Sequence, residues 1–473
     1  MKHIFLFISI LLSFSTYAQS CLENGIIFNT QAAINSFSTD YPNCTEIIGD
    51  LIINEGGGIT NLGGLSQITT IEGELKISNG SLISIHGLSN LTTVGGNLEI
   101  HFCNSLQTLG GLENVNSIGG NFRVTNNAVL QNIEGLGALT DIGGFLDIST
   151  NSMMTTITDF DNLANVGTSV FISGNFSLVE IDLFTNLTTI PEHLRIRSES
   201  LLNMNGFSNL TSVGGFLDIH DNNAITNLEG LSNLKLIGGD FQLYKNDQLV
   251  STIGMPSLES IGGVFYIYDN ELLQGLTGFS ELNSIGNNLE ISENESLIDL
   301  SGFSNLSDLN DGVLIVYDNA VLPSLFGLGN INPSSIFALG IYDNPMLTVC
   351  DVESVCDFLE TTNDLNDNID NNGTSVGEGC DDKAQIQSAC LIVDNVNDFT
   401  EVIAPFYPNP TSGLTRFIST ENFEISVFDL FGNRIEAPIS NTNEIDLRTK
   451  STGVYFIRLK NTKQEFYAKV IKQ

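Results

Sequence analysis

Residues 230–253 read GLSNLKLIGGDFQLYKNDQLVSTI, and most of the chain is a variation on this segment. Its skeleton, G-L-x-x-L-x-x-I-G-G-x-L-x-I-x-x-N-x-x-L-x-x-L/I, recurs from about residue 51 to residue 344. The central apolar-x-apolar triplet begins at Leu51, Leu75, Leu98, Phe122, Leu146, Val170, Leu194, Leu217, Phe241, Phe265, Leu289, Leu314 and Leu339, thirteen copies spaced 23 to 25 residues apart. A period in the twenties marks a solenoid, in which the apolar face of each unit is covered only by its neighbours. Within the triplet Phe241 and Leu243 face one way and Gln242 and Tyr244 the other, as a half-buried strand requires. Stacked copies therefore predict a long parallel sheet.

Three residues past the second apolar position stands Asn127, Asn151, Asn175, Asn222, Asn246, Asn270, Asn294, Asn319 or Asn344, with Cys103 in the same slot of another copy. An inward asparagine in each coil can hydrogen-bond the turning backbone of its own and the adjacent coil, satisfying groups that burial would leave unpaired. Counted from the strand, Gly56, Gly80 and Glu199 interrupt this ladder, and the first two copies read as a distinct cap region.

The motif L-x-I-x-x-N-x-x-L resembles the leucine-rich repeat. The flanking segment GLSNLTTVGGNLEI at residues 87–100 resembles the receptor L-domain type more narrowly. The resemblance covers roughly two-thirds of the chain. It implies a mostly β, right-handed leucine-rich-repeat solenoid with a parallel sheet of about 13 coils, and for function no more than a binding surface.

The formal net charge is −38 and is unevenly placed. Residues 404–473 hold nine Lys/Arg and seven Asp/Glu, a net of +2; outside them and Lys2, seven basic residues face 48 acidic ones. So acidic a surface repels nucleic acid and anionic lipid headgroups. It reads either as a solvated face or as a site for divalent cations or a cationic partner.

Residues 1–18 combine a basic start, an apolar run and small residues before a cut, the pattern of a secretory signal peptide. Residues 18–20, Ala-Gln-Ser, lack the apolar residue expected three positions before a lipidated cysteine, so Cys21 is read as a disulfide candidate. Export allows cysteines to pair. Cys21 and Cys44 flank QAAINSF, a potential short helix, in an N-terminal cap at 19–50; Cys350, Cys356, Cys380 and Cys390 fall in a C-terminal cap at 348–392, after a solenoid spanning 51–347. Four cysteines allow three pairings and the sequence does not choose between them. Cys103 is then a small buried apolar residue.

Between the caps, G-L-x-N-L-x-x-I-G-G predicts tight turns or short 3₁₀ pieces. Its paired glycines lack the Lys-Ser/Thr of a phosphate loop and are ascribed to turn geometry. The segment DLNDNIDNNG at 364–373 falls short of a calcium loop, because its best register starts at neutral Asn368 and reaches Gly379 where a carboxylate is needed. A flexible loop is expected there, with calcium the one cofactor considered.

After a linker at 393–405 the repeat ends, and ISVFDLFG, NEIDL, GVYFIRLK and EFYAKVIK predict a small antiparallel β-sandwich over 406–473. YPNPTSG, with Pro408, Asn409, Pro410 and Gly413, then SVFDLFGNRI, STGVYFIRLK and the terminal KVIKQ resemble the type A C-terminal sorting domain of the type IX secretion system. That resemblance implies a partner, the type IX machinery, and a location, secreted or on the outer surface of a Gram-negative bacterium. The family usually loses this domain by cleavage. No transmembrane segment is read in the chain.

No nucleophile elbow, Cys/His set or HExxH motif points to catalysis, and no metal ligands are assigned. His101 and His220 share a slot five coils apart, about 24 Å at ~4.8 Å per strand, too far to act together. Asp218, His220 and Asp221 have the composition of a weak metal site and equally of an ordinary polar strand.

The aromatic distribution is more informative. Tyr244, Tyr266, Tyr268, Tyr317 and Tyr342 all fall in outward strand positions of coils nine to thirteen, and three lie in the motif YDN with Asp269, Asp318 and Asp343. One reading is a cross-strand aromatic stack that stiffens the sheet; the other is a recognition stripe for a sugar or basic peptide. Phe102 and Phe171 are lesser candidates. The expected function is non-enzymatic recognition or adhesion toward an extracellular glycan or protein. The alternatives are a glycan-processing enzyme, betrayed by polysaccharide hydrolysis, and a passive surface coat.

Overall fold

The computed structural model describes residues 19–472 apart from 55, 57, 158, 362–366, 373–379, 395–410, 417–423, 430–433, 440–443 and 461–464. The signal peptide and Pro408, Asn409 and Pro410 lie outside the described residues. The chain divides into two compact units, 1–390 and 391–473.

In the first unit one sheet of fifteen parallel strands runs the length of the solenoid. Leu51, Leu75, Leu98 and the nine triplet starts that follow each stand in register with the triplet start of the next coil, down to Leu314 opposite Leu339. Two strands beyond the thirteen repeats come from the caps, Ile26–Phe28 at one end and Asn368–Asp370 at the other. Inward residues such as Phe241 and Leu243 are fully buried in a single core that runs from Phe28 to Cys390. Burying a Leu or Phe side chain contributes roughly 1.5–3 kcal/mol, and every coil repeats that contribution.

The ladder asparagines are buried. The Oδ1 of Asn270 accepts from the Asn246 backbone N–H at 3.2 Å, and its Nδ2 donates to the Leu243 carbonyl at 3.0 Å. The same pattern runs from Asn222 through Asn344, and the amide of Cys103 donates to Asn127 Oδ1 at 2.9 Å. The breaks expected at Gly80 and Glu199 are corrected. Both coils are 23 residues long, and the missing residue lies between strand and ladder, so the slot is taken one position earlier. Asn79 is buried and donates to the Asn54 carbonyl at 2.8 Å; Ser198 is buried, with its amide on Asn222 Oδ1 at 2.8 Å.

Within the segment 364–373 the expectation of a flexible loop is corrected for residues 367–372, the others lying outside the described residues. Asn368–Asp370 is the edge strand, and Asn372 is buried as the last rung, accepting from the Asn344 amide at 3.2 Å. Asn368 and Asp370 stand in the outward register opposite Gly340 and Tyr342, while Asn372 points inward, so the three do not converge on a cation.

A second side-chain ladder precedes the strands. Asp50, Asn97, Asn121, Asp240 and Asn288 each use Oδ1 to accept the amide of Glu74, Asn121, Phe145, Val264 and Val313 in the next coil, at 2.8–3.0 Å. His193 does the same with Nδ1, 3.1 Å from the Phe216 nitrogen.

The convex side has the expected 3₁₀ turns and adds short strands to them. Its G-L positions form 3₁₀ turns such as Glu229–Leu231, but the following residues pair as two-residue strands in short parallel sheets of seven and five strands. Of the paired glycines, Gly238 and Gly262 show the reason for the residue. Neither has positive φ. A Cβ on Gly238 would collide with the Gly214 carbonyl, and one on Gly262 with that of Gly238, so close approach of coil on coil, rather than turn geometry, excludes a side chain.

Both caps are stapled. Cys21 joins Cys44, Cys350 joins Cys380 and Cys356 joins Cys390, with Cα–Cα distances of 5.6–5.9 Å. Closing loops of 23 to 34 residues contributes about 3–4 kcal/mol each in the chain-entropy account. Cys103 is buried, its thiol donating to the Ile77 carbonyl. Thr30 caps the helix Gln31–Asp40, which buries Ile34 and Phe37 on the first coil. The last helix, Lys383–Asp394, runs two residues into the segment assigned as linker; the rest of that segment is outside the described residues.

The second unit contains a two-stranded and a four-stranded antiparallel sheet. Val427, Ile445, Leu447, Tyr455, Ile457, Leu459 and Val470 form its core, and Gly413, at φ 134°, donates to Thr411 Oγ1 at 3.1 Å.

Candidate functional site

From Leu98–His101 to Ile336–Tyr342 the strands of the large sheet carry outward residues that line up as two columns across the coils. The first column runs Lys76, Glu99, Arg123, Asp147, Phe171, Arg195, Asp218, Gln242, Tyr266, Glu290. Its companion includes His220, Tyr244, Tyr268, Ser292, Tyr317 and Tyr342. The structure therefore brings four of the five tyrosines into one column, with Tyr266 beside them in the other.

The rings stack. Tyr244 lies 4.5 Å from Tyr268 with 7° between planes, and Tyr317 lies 4.9 Å from Tyr342 at 13°. The column starts one coil earlier than the tyrosines indicate, because the His220 ring is parallel to Tyr244 at 4.7 Å. Shared slot position was the available signal for His220. Between the two stacks Ser292 is fully buried, donating to Glu290 Oε1 at 3.3 Å, and the Tyr317 hydroxyl reaches the same oxygen at 3.3 Å.

Asp269, Asp318 and Asp343 are not strand residues. They take the left-handed turn position that follows, with φ of 55°, 51° and 55°. Asp221, Lys245 and Glu293 hold the same position in their coils. The motif YDN is thus an outward ring, a left-handed turn that Asp tolerates better than most residues, and a ladder asparagine. The aspartates form a rim along the tyrosine column. Burial first, and then the carboxylates and neighbouring phenol, push the hydroxyls of Tyr268 and Tyr342 above the ordinary tyrosine range.

In the earlier coils charges are tied together. Glu99 accepts from Lys76 at 3.2 Å and from Arg123 at 3.1 Å; Arg123 also reaches Asp147 at 3.5 Å and lies over the Phe145 ring. Asp218, 3% exposed, accepts from Arg195 at 2.8 Å and lies 2.6 Å from His220 Nδ1. Asp221 pairs with Arg197 at 2.9 Å. Asp218 is therefore engaged with His220 and Arg195 and Asp221 with Arg197, and among the described residues no group of three His, Cys, Asp or Glu is arranged to hold a metal. Phe102 is 45% exposed in the left-handed turn position, and Phe171 packs edge-on against Phe145 at 6.2 Å. A polar hollow of about 360 Å³ lined by Lys235, Ser257, Glu259, Glu281 and Asn283 lies away from these columns.

Comparison with known families agrees with this architecture. The receptor L domain family matches residues 43–107 and 186–278, and the secretion system C-terminal sorting domain matches residues 405–473. A search of curated proteins finds no match. No helix among the described residues is long and apolar enough to cross a membrane. Two stretches of the solenoid thus match the receptor L domain, and the chain ends in a type IX secretion C-terminal sorting domain, which indicates export to the cell surface or the extracellular space.

Proposed function

We propose that the protein is a non-enzymatic recognition or adhesion module whose strand face, from His220 to Tyr342, binds an extracellular protein or glycan. The observation that carries this reading is the row of half-exposed phenols on coils nine to thirteen, presented on a rigid sheet. Tyrosine offers large amphipathic contact area at low entropic cost, which suits a recognition surface. Catalysis is disfavoured by the way the one Asp–His pair on the face is used, since His220 is stacked on Tyr244 and Asp218 is committed to Arg195.

The test is an array of glycans and extracellular-matrix proteins probed with the exported chain. Beside it runs a variant carrying Tyr244→Ser, Tyr266→Ser, Tyr268→Ser, Tyr317→Ser and Tyr342→Ser, shown folded by circular dichroism. Binding that disappears in the variant is the expected result. Binding retained by the variant, or hydrolysis of a polysaccharide that single Asp or Glu changes abolish, would overturn the proposal.

A further inference from the structure

The unpartnered sheet face has an electrostatic direction. In the strands and rims of coils nine to thirteen the acidic residues are Asp247, Asp269, Glu271, Glu290, Glu293, Glu295, Asp318 and Asp343, and the single cation is Lys245. In coils two to eight Lys76, Arg123, Arg195 and Arg197 each have a carboxylate within 3.5 Å. The tyrosine half is thus the part of the face whose negative charge is not internally neutralised by arginine or lysine.

The stacking decides what those tyrosines can offer. A sugar packs on aromatic faces, but both faces of Tyr244 are covered, by His220 at 4.7 Å and Tyr268 at 4.5 Å. Tyr317 and Tyr342 cover each other on one side, and Ser292 between the stacks is fully buried. The stacked column thus presents mainly ring edges and hydroxyls, flanked by carboxylates, a surface rich in hydrogen-bond acceptors. Lysine and arginine carry only donors. Five coils at ~4.8 Å spacing put about 19 Å between the first and last strand, the length of roughly six extended residues at ~3.3 Å each.

Building on the recognition role proposed above, we infer that coils nine to thirteen dock an extended lysine- and arginine-rich segment of a protein partner. The tyrosine edges form the floor of this surface and Asp269, Glu293, Asp318 and Asp343 its charged rim. Attraction of this kind accelerates encounter and is strongly salt-dependent.

The experiment measures anisotropy of a fluorescein-labelled oligolysine with the full chain at low and high salt, with a neutral oligosaccharide of equal length as the second probe. The rim variant carries Asp269→Asn, Glu293→Gln, Asp318→Asn and Asp343→Asn. A control removes four exposed carboxylates elsewhere: Glu134→Gln, Asp161→Asn, Glu229→Gln and Glu281→Gln. The rim variant is expected to weaken oligolysine binding about tenfold, as four exposed ion pairs of a few tenths of a kcal/mol each allow, and the control by less than twofold. Equal weakening by both would mean that only the diffuse field of the acidic chain attracts the peptide, and the inference falls. Tyrosine-dependent binding of the oligosaccharide without rim-dependent binding of oligolysine also overturns it, while leaving the recognition role intact. Tyrosine-independent behaviour toward both probes and the whole array removes the two together.

Discussion

The two halves of one sheet face solve the same packing problem with different chemistry. In coils two to eight the outward residues are held by ion pairs, with Arg123 bridging Glu99 and Asp147 and Arg195 lying on buried Asp218. In coils nine to thirteen they are held largely by ring stacking, and apart from Glu290 the carboxylates lie off the strands, at or beyond the left-handed rim. Beneath both halves the asparagine ladder and apolar core are alike. A solenoid thereby separates the residues that make it fold from those that give it a surface: the frame repeats while the face varies coil by coil.

If that division holds, the largest effects come from the frame and are equal in both halves. Asn151→Ala removes an acceptor for the Asn127 amide at 3.1 Å and a donor to the Val124 carbonyl at 2.9 Å; Asn270→Ala does the same to Asn246 and Leu243. Each leaves buried backbone groups unsatisfied, so each is expected to cost about 4 kcal/mol, read as a fall in the urea midpoint of the folded chain. A much smaller cost for Asn270→Ala would mean that the tyrosine stack, and not the frame, carries the C-terminal coils.

Next come the face residues, where the halves should diverge. Arg195→Met strips Asp218 of its guanidinium. A buried pair broken on one side costs about 3–5 kcal/mol, discounted here to about 2 kcal/mol because the Arg195 side chain is 42% exposed and His220 still faces Asp218. Tyr244→Ser loses two ring contacts and the area they bury, also about 2 kcal/mol. Salt separates them. In 1 M salt, where the Debye length is about 3 Å, the Arg195 penalty shrinks and the Tyr244 penalty does not; matching salt responses would erase the distinction between the halves.

What could be read in advance follows the same division. Strand starts were legible because an apolar-x-apolar triplet recurring every 23 to 25 residues has one structural reading. The rung at Asn79 and Ser198 was not, because counting from the strand fails where a residue is lost between strand and turn. Asn372 was hidden by its acidic, asparagine-rich neighbours, which look like a loop. The second ladder escaped because Asp50, Asn97, Asp240 and His193 share an acceptor at the δ1 position, not a residue type. For the candidate site, the sequence placed the five tyrosines outward but could not say whether neighbouring rings would cover one another. That is a matter of side-chain rotamer, on which the choice between sugar and peptide turns.

The smallest effect on stability is the most telling about the rim. Asp269, Asp318 and Asp343 sit at left-handed φ that asparagine adopts as readily, so each change to Asn is expected to alter stability by no more than about 0.5 kcal/mol. Combined with Glu293→Gln, they relieve repulsion among like charges about 4.8 Å apart from coil to coil, so the fourfold variant should melt no lower than the parent, and higher at low ionic strength. Carboxylates that add nothing to the fold, beside a row of tyrosine edges, are what the proposed cationic partner requires. A loss of more than about 1 kcal/mol in the fourfold variant, a size that marks a structural role, would instead tie these carboxylates to the turn itself and remove the charge argument for a cationic partner.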